Sequence, residues 1–264
     1  MEVDDFRTIL DIKELDRDLY EAPPFSVQQG PHLFGGQVAA QALRAAILTV
    51  DADRAPHSLH GYFLRQGTSD RSVMFQVFRD RDGRSFSSRR VLAIQNGEVL
   101  FSAAASFHID ESSDEYQVPV APDMPDPDDP ALVGFVGPTQ FFDVRGIPGR
   151  FVHGEIRFSR RLWVRARVRL PDDPASHACA LAYVTDLGSG FSELDIESLA
   201  AAGPSLDHAI WFHRPIRLDD WVLVDLWPLR ASGSRGTYMG SVHDRRGTLG
   251  CMLAQEALLR LPPA

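Results

Sequence analysis

The chain has 264 residues, 44% hydrophobic and 24% charged, a globular composition that excludes disorder along its whole length. Its net charge of −9 at pH 7 argues against nucleic acid as a partner, because an acidic surface repels a phosphate backbone. No apolar run approaches the roughly 20 residues that span a bilayer, and the acidic N-terminal stretch MEVDDFRTILDIKELDRD has no signal-peptide core, so no membrane partner is expected.

The first periodic element is a helix over Gly36–Leu48, GQVAAQALRAAIL. Its polar residues Gln37, Gln41 and Arg44 form one narrow stripe on an apolar cylinder, which predicts a helix with protein wrapped around it. Strand patterns follow at His57–Arg65, Val73–Arg79, Ser85–Gln95 and Val99–Ile109. The Asn96-Gly97 pair between the last two is a two-residue hairpin signal. The segment ESSDEYQVPVAPDMPDPDDP, rich in acids and proline, reads as a linker over residues 111–130. Beyond it the grammar repeats. A strand is expected at Leu162–Leu170, a helix near His177–Leu187, and strands at Leu206–His213, Trp221–Leu229, Gly236–His243 and Thr248–Leu258.

The halves align, Ser58 with Ser205 and Gly97 with Gly247, which indicates a duplicated domain. One helix followed by hairpin-linked strands implies an α+β fold with an antiparallel sheet. Cys179 and Cys251 sit in apolar stretches without metal-ligand spacing, which suits buried free thiols and a reducing, cytoplasmic setting. No G-x-S-x-G elbow, P-loop or G-x-G-x-x-G fingerprint is present. His57 and His60 lie three apart on a strand and face opposite sides, so a shared metal is not expected.

Four motifs in order, LFGGQVAAQALRAA, HSLHGYFLRQG, RDGRSFSSRRVLAIQNG and SLDHAIWFHRP, resemble the type II acyl-CoA thioesterases of bacteria and peroxisomes. The resemblance runs from about Phe25 to Arg260. It implies a tandem, double hot-dog fold, each unit a long central helix wrapped by a curved antiparallel sheet, with units at residues 1–110 and 131–264. It also implies hydrolysis of acyl-CoA without a cofactor, and a homo-oligomer, dimer or tetramer. The implied acid matches Asp186 in YVTDLGSGF, the hydroxyl Ser205 in PSLDHAIWFH, and the amide Gln255 in MLAQEA.

Read from the residues, Asp186 at a helix C-terminus is made more basic by the helix dipole, although a solvated helix-end acid has the same sequence signature. Gln255 stands in an apolar strand where the first repeat has Ala105, so a buried amide must find partners. Gly35 and Gly36, in the region taken to correspond to Asp186, and His57 are expected to line the substrate pocket. Two alternatives stay open: a silent acyl-CoA-binding protein, and a dehydratase or hydratase. The latter wants a histidine near the acid, and His177 is roughly 13 Å from Asp186 by helical rise.

Overall fold

The computed structural model describes residues 5–25, 31–134, 140–152, 155–192 and 202–260. The chain-end stretches read for targeting signals lie partly outside these residues. In chain order the elements are α1 (Arg7–Leu10), β1 (Lys13–Asp16), β2 (Leu19–Ala22), α2 (Gly35–Ile47), β3 (Arg54–Phe63), β4 (Val73–Asp82), β5 (Phe86–Gln95) and β6 (Glu98–Ile109). Then come β7 (Val133–Gly134), β8 (Phe142–Val152), β9 (Glu155–Ala166), α3 (Pro174–Val184), β10 (Ala202–Ser205), β11 (Asp207–Phe212), β12 (Val222–Ser232), β13 (Arg235–Asp244) and β14 (Leu249–Leu259).

The strands form one antiparallel sheet in the order β1-β2-β4-β5-β6-β3-β11-β14-β13-β12-β9-β8-β7, with β10 also paired to β14. From the β3–β11 seam the order runs β6, β5, β4 on one side and β14, β13, β12 on the other, so the sequence repeat is a structural one. At the seam Leu59 faces Ile210 and Gly61 faces His208. Asn96 and Gly97 both have positive φ, 53° and 79°, as a type I′ hairpin turn requires.

Helix α2 is buried at ten of its thirteen residues, as its nearly all-round apolar pattern demands. Its polar stripe meets protein instead of water: Gln37 and Gln41 are buried, and Gln41 Nε2 donates to the Ile9 carbonyl at 2.9 Å. Small side chains, Ala39, Ala42 and Ala46 on α2 with Ala178 and Ala182 on α3, place both helices in one continuous core. Helix α3 begins three residues before the expected start. Asp173 accepts from the Ser176 N–H at 2.8 Å and Pro174 opens the first turn, both strong helix-start signals. The helix stops at Val184, leaving Asp186 just past its C-cap Thr185.

Between Ile109 and Val133 the chain has neither strand nor helix. It still docks on the second repeat: Gln117 bridges the Gly247 carbonyl and the Leu249 N–H, both at 2.8 Å, and Trp163 Nε1 donates to the Pro125 carbonyl.

Candidate active site

Four elements from both repeats converge on Asp186. The Leu187 N–H bonds back to Val184, and this turn after α3 sends the Asp186 carboxylate toward the N-terminus of α2. There the Gly36 N–H donates to it. Helix α2 has no side-chain cap at Phe34, so an acid from the other repeat serves the first-turn donors. Gly35 makes the approach possible, since a Cβ at that position would lie 2.7 Å from Asp186 Oδ2.

Strands β10 and β14 supply the other two groups. Ser205 Oγ donates to Asp186 Oδ1 at 3.3 Å. Gln255 Nε2 donates to Asp186 Oδ1 at 2.9 Å and to Ser205 Oγ. The three residues matched by motif therefore touch one another, although 69 residues separate Asp186 from Gln255. Asp186 and Ser205 line a cavity of about 560 Å³, together with Gly35, Val38, Phe63 and Tyr238. Gln255 is 2% exposed and stands behind them.

Asp186 is half-buried and lines this cavity. Burial pushes its carboxyl above the usual carboxylate range, against the opposing pull of His208, Gln255, Ser205 and the Gly36 N–H. The result is a carboxylate more basic than an exposed aspartate. Desolvation is the largest cause of the rise, and the Gly36 N–H in the first turn of α2 is among the groups that oppose it. Burial also pushes the Tyr183 and Tyr238 phenols up, so neither contributes a charge beside Asp186.

His208, not singled out from the sequence, joins the same network. Its Nδ1 lies 2.5 Å from Gln255 Oε1 and its Nε2 2.9 Å from Thr185 Oγ1. The available signal was alternation: in DHAIWF, His208 shares the inward face with Ile210. His57 is placed elsewhere. Its Nε2 pairs with Ser106 Oγ at 2.8 Å, and its ring packs on Phe86, on the sheet face opposite the core residues Ala105 and Phe107. The bulge between Pro56 and Ser58 turns it away from the cavity.

The register also corrects the alignment of the halves. Phe107 lies ten residues beyond Gly97, and Ala257 ten beyond Gly247, with a bulge at the same place in both hairpins. Phe107 pairs with Pro56 and Ala257 with Ser205, so the counterpart of Ser205 is Pro56, not Ser58. Gln255 corresponds to Ala105, as the sequence suggested, and their partners Tyr238 and Arg89 correspond to each other. Thr49, one residue past the C-cap of α2, takes the place of Asp186, whereas Gly35 and Gly36 lie on the facing helix. Arg89, 1% exposed, fills this second location, its Nε on Thr49 Oγ1 at 2.8 Å and its Nη2 on the Thr49 carbonyl at 2.9 Å.

Known proteins match in the same order. Family models described as acyl-CoA thioesterase N-terminal domain and C-terminal domain match residues 23–108 and 117–259. Acyl-coenzyme A thioesterase 8 of Rattus norvegicus is 34% identical over 97% of this chain and 89% of its own length. The crystal structure of an acyl-CoA thioesterase II, TesB2, from Mycobacterium marinum is 37% identical, with a TM-score of 0.82 over 100% of this chain and 99% of that one. A hot-dog protein from Alicyclobacillus acidocaldarius, 22% identical, shares the fold with a TM-score of 0.80 over 98% of each chain. With both halves matched in order and one acid site built where they meet, the chain belongs to the acyl-CoA thioesterase family.

Proposed function

We propose that the chain hydrolyses acyl-CoA by direct attack of a water held against Asp186 and Ser205. Asp186 takes a proton from the water as its oxygen bonds to the thioester carbon. The tetrahedral intermediate then expels the CoA sulfur, which receives that proton, leaving the carboxylic acid and free CoA. The observation that carries this reading is the contact of Asp186, Ser205 and Gln255 at the wall of one apolar cavity. Gln255 spends both amide hydrogens on Asp186 and Ser205, which suits positioning of those two groups. The N-terminal turn of α2, reaching the cavity through Gly35, suits stabilisation of the developing oxyanion. The dehydratase alternative finds no support in His208, which is 1% exposed and not among the cavity residues.

The repeats are read as two hot-dog units, residues 1–110 and 131–264, joined by 111–130. One site per chain is expected, since Thr49, Pro56, Ala105 and Arg89 stand where the second repeat has Asp186, Ser205, Gln255 and Tyr238. A tight non-hydrolysable acyl-CoA analogue should titrate to one equivalent, and mass spectrometry during turnover should find no acyl group on Ser205. Two equivalents refute the single site, and a Ser205 adduct refutes the water mechanism.

A homo-oligomer, dimer or tetramer, is supported by exposed aromatic residues on the outer sheet face. Tyr62 is 64% and Trp211 38% exposed, on neighbouring strands at the seam. Light scattering should report a multiple of 29.3 kDa at micromolar concentration, and a monomer alone overturns it. A cytoplasmic setting is supported by the buried free thiols of Cys179 and Cys251.

A further inference from the structure

We propose that His208 is a positioning residue: as the Nδ1–H tautomer it fixes the side-chain amide of Gln255 so that Nε2, and not Oε1, faces Asp186. The inference rests on the reading of Asp186 as the base.

Both hydrogens of Gln255 Nε2 are committed to Asp186 Oδ1 and Ser205 Oγ, so Oε1 faces the ring. A carbonyl oxygen only accepts, and the 2.5 Å contact therefore requires a proton on Nδ1. Burial disfavours the charged ring, which favours one proton in total. Nε2 is then an acceptor. Thr185 Oγ1, at the C-cap of α3, has one hydrogen and two acceptors at 2.9 Å, His208 Nε2 and the Leu181 carbonyl; that carbonyl already accepts the Thr185 N–H at 3.0 Å, so the hydroxyl hydrogen goes to Nε2. The chain Thr185–His208–Gln255–Asp186 thus has one direction of donation, and each link sets the next. The charged and titratable groups around His208 are Asp186, across Gln255, and Asp207, beside it in β11.

Without the Nδ1–H, the amide of Gln255 loses one of the two contacts that distinguish its ends, the other being the Asp186 carboxylate itself. Turned over, it presents an oxygen to the carboxylate. Asp186 then loses a donor, holds its proton to higher pH and no longer faces the water in its basic form. His208 touches no substrate, so the effect belongs in kcat and in the pH profile, with KM largely kept.

Two replacements separate donation from packing. His208→Leu fills the space without a donor. His208→Asn carries an amide N–H near the place of Nδ1. We expect the Leu variant, folded by circular dichroism, to lose about 10²-fold in kcat, with its acid limb moved to higher pH. The Asn variant should recover most of the rate and return the limb toward the wild-type position. A Leu variant with wild-type kcat and profile overturns the proposal, as does an Asn variant as slow as a folded Leu variant. Should the Leu variant not fold, 15N spectra of histidine-labelled wild-type protein decide: a protonated Nδ1 and bare Nε2 on His208 are required, and the opposite tautomer overturns it. Failure of the Asp186 reading looks different, because Asp186→Asn would then turn over normally whatever His208 does.

Discussion

Asp186→Asn should lower kcat by about 10²–10⁴-fold, the usual worth of a general base. The substitution keeps the shape of the side chain and an oxygen for the donors of Gln255 and Ser205, but it removes the proton acceptor. In the wild type the acid limb of kcat/KM should lie above the ordinary aspartate range, because burial raises this carboxyl, and activity falls as pH drops through it. In the variant that limb should disappear from the residual activity. Assays of CoA release across pH test both statements, and an Asn enzyme with near-normal turnover would exclude Asp186 as base. Stability should move the other way. The folded pKa is raised above the unfolded value, so the stability gained from the proton is present below the unfolded pKa and lost as pH rises through the folded one. At neutral pH the ionised group costs stability, and the Asn variant should melt at the same temperature or higher, by about 2–4 °C for each kcal/mol relieved in a chain of this size.

Gly35→Ala should cost about 10²-fold in kcat/KM while leaving the protein folded. The new methyl would lie 2.7 Å from Asp186 Oδ2 and 3.1 Å from the Phe63 ring, too close for either to stay. Displacing a catalytic group by about 1 Å is enough for a loss of this size. The helix itself does not suffer, because Ala is at least as good a helix former as Gly. An active, well-folded Gly35→Ala enzyme would show that the carboxylate tolerates movement, whereas unfolding would point to a structural role instead.

The strongly patterned parts of the fold were legible. The near-continuous apolar character of GQVAAQALRAAIL gave a buried helix, and Asn96-Gly97 gave its hairpin. The edge strand β1 was not legible, since KELD is exposed at every position, and β2, LYEA, is too short for its alternation to stand out. The motif residues Asp186, Ser205 and Gln255 do meet, but His208 did not stand out, because a histidine on the core face of a strand resembles any packed histidine. The serine alignment failed for a related reason. A bulge beside Pro56 shifts register; its one mark in residue type, the proline itself, was outweighed by two similar strings, HSLH and PSLD, that invited the wrong match.

Gly35 opens a helix in one repeat, and Asp173-Pro174 opens the corresponding helix in the other. A pair of second repeats would carry all three groups that meet around Asp186, yet each would offer its neighbour an acid and an imino ring where an open glycine is needed. Like charges would face each other, and one N–H would be missing. The duplicated halves have therefore become complementary parts that can no longer replace each other. One keeps the acid and the other keeps the space into which it reaches, so the lasting gain from joining two similar units in one chain was the freedom to make them different.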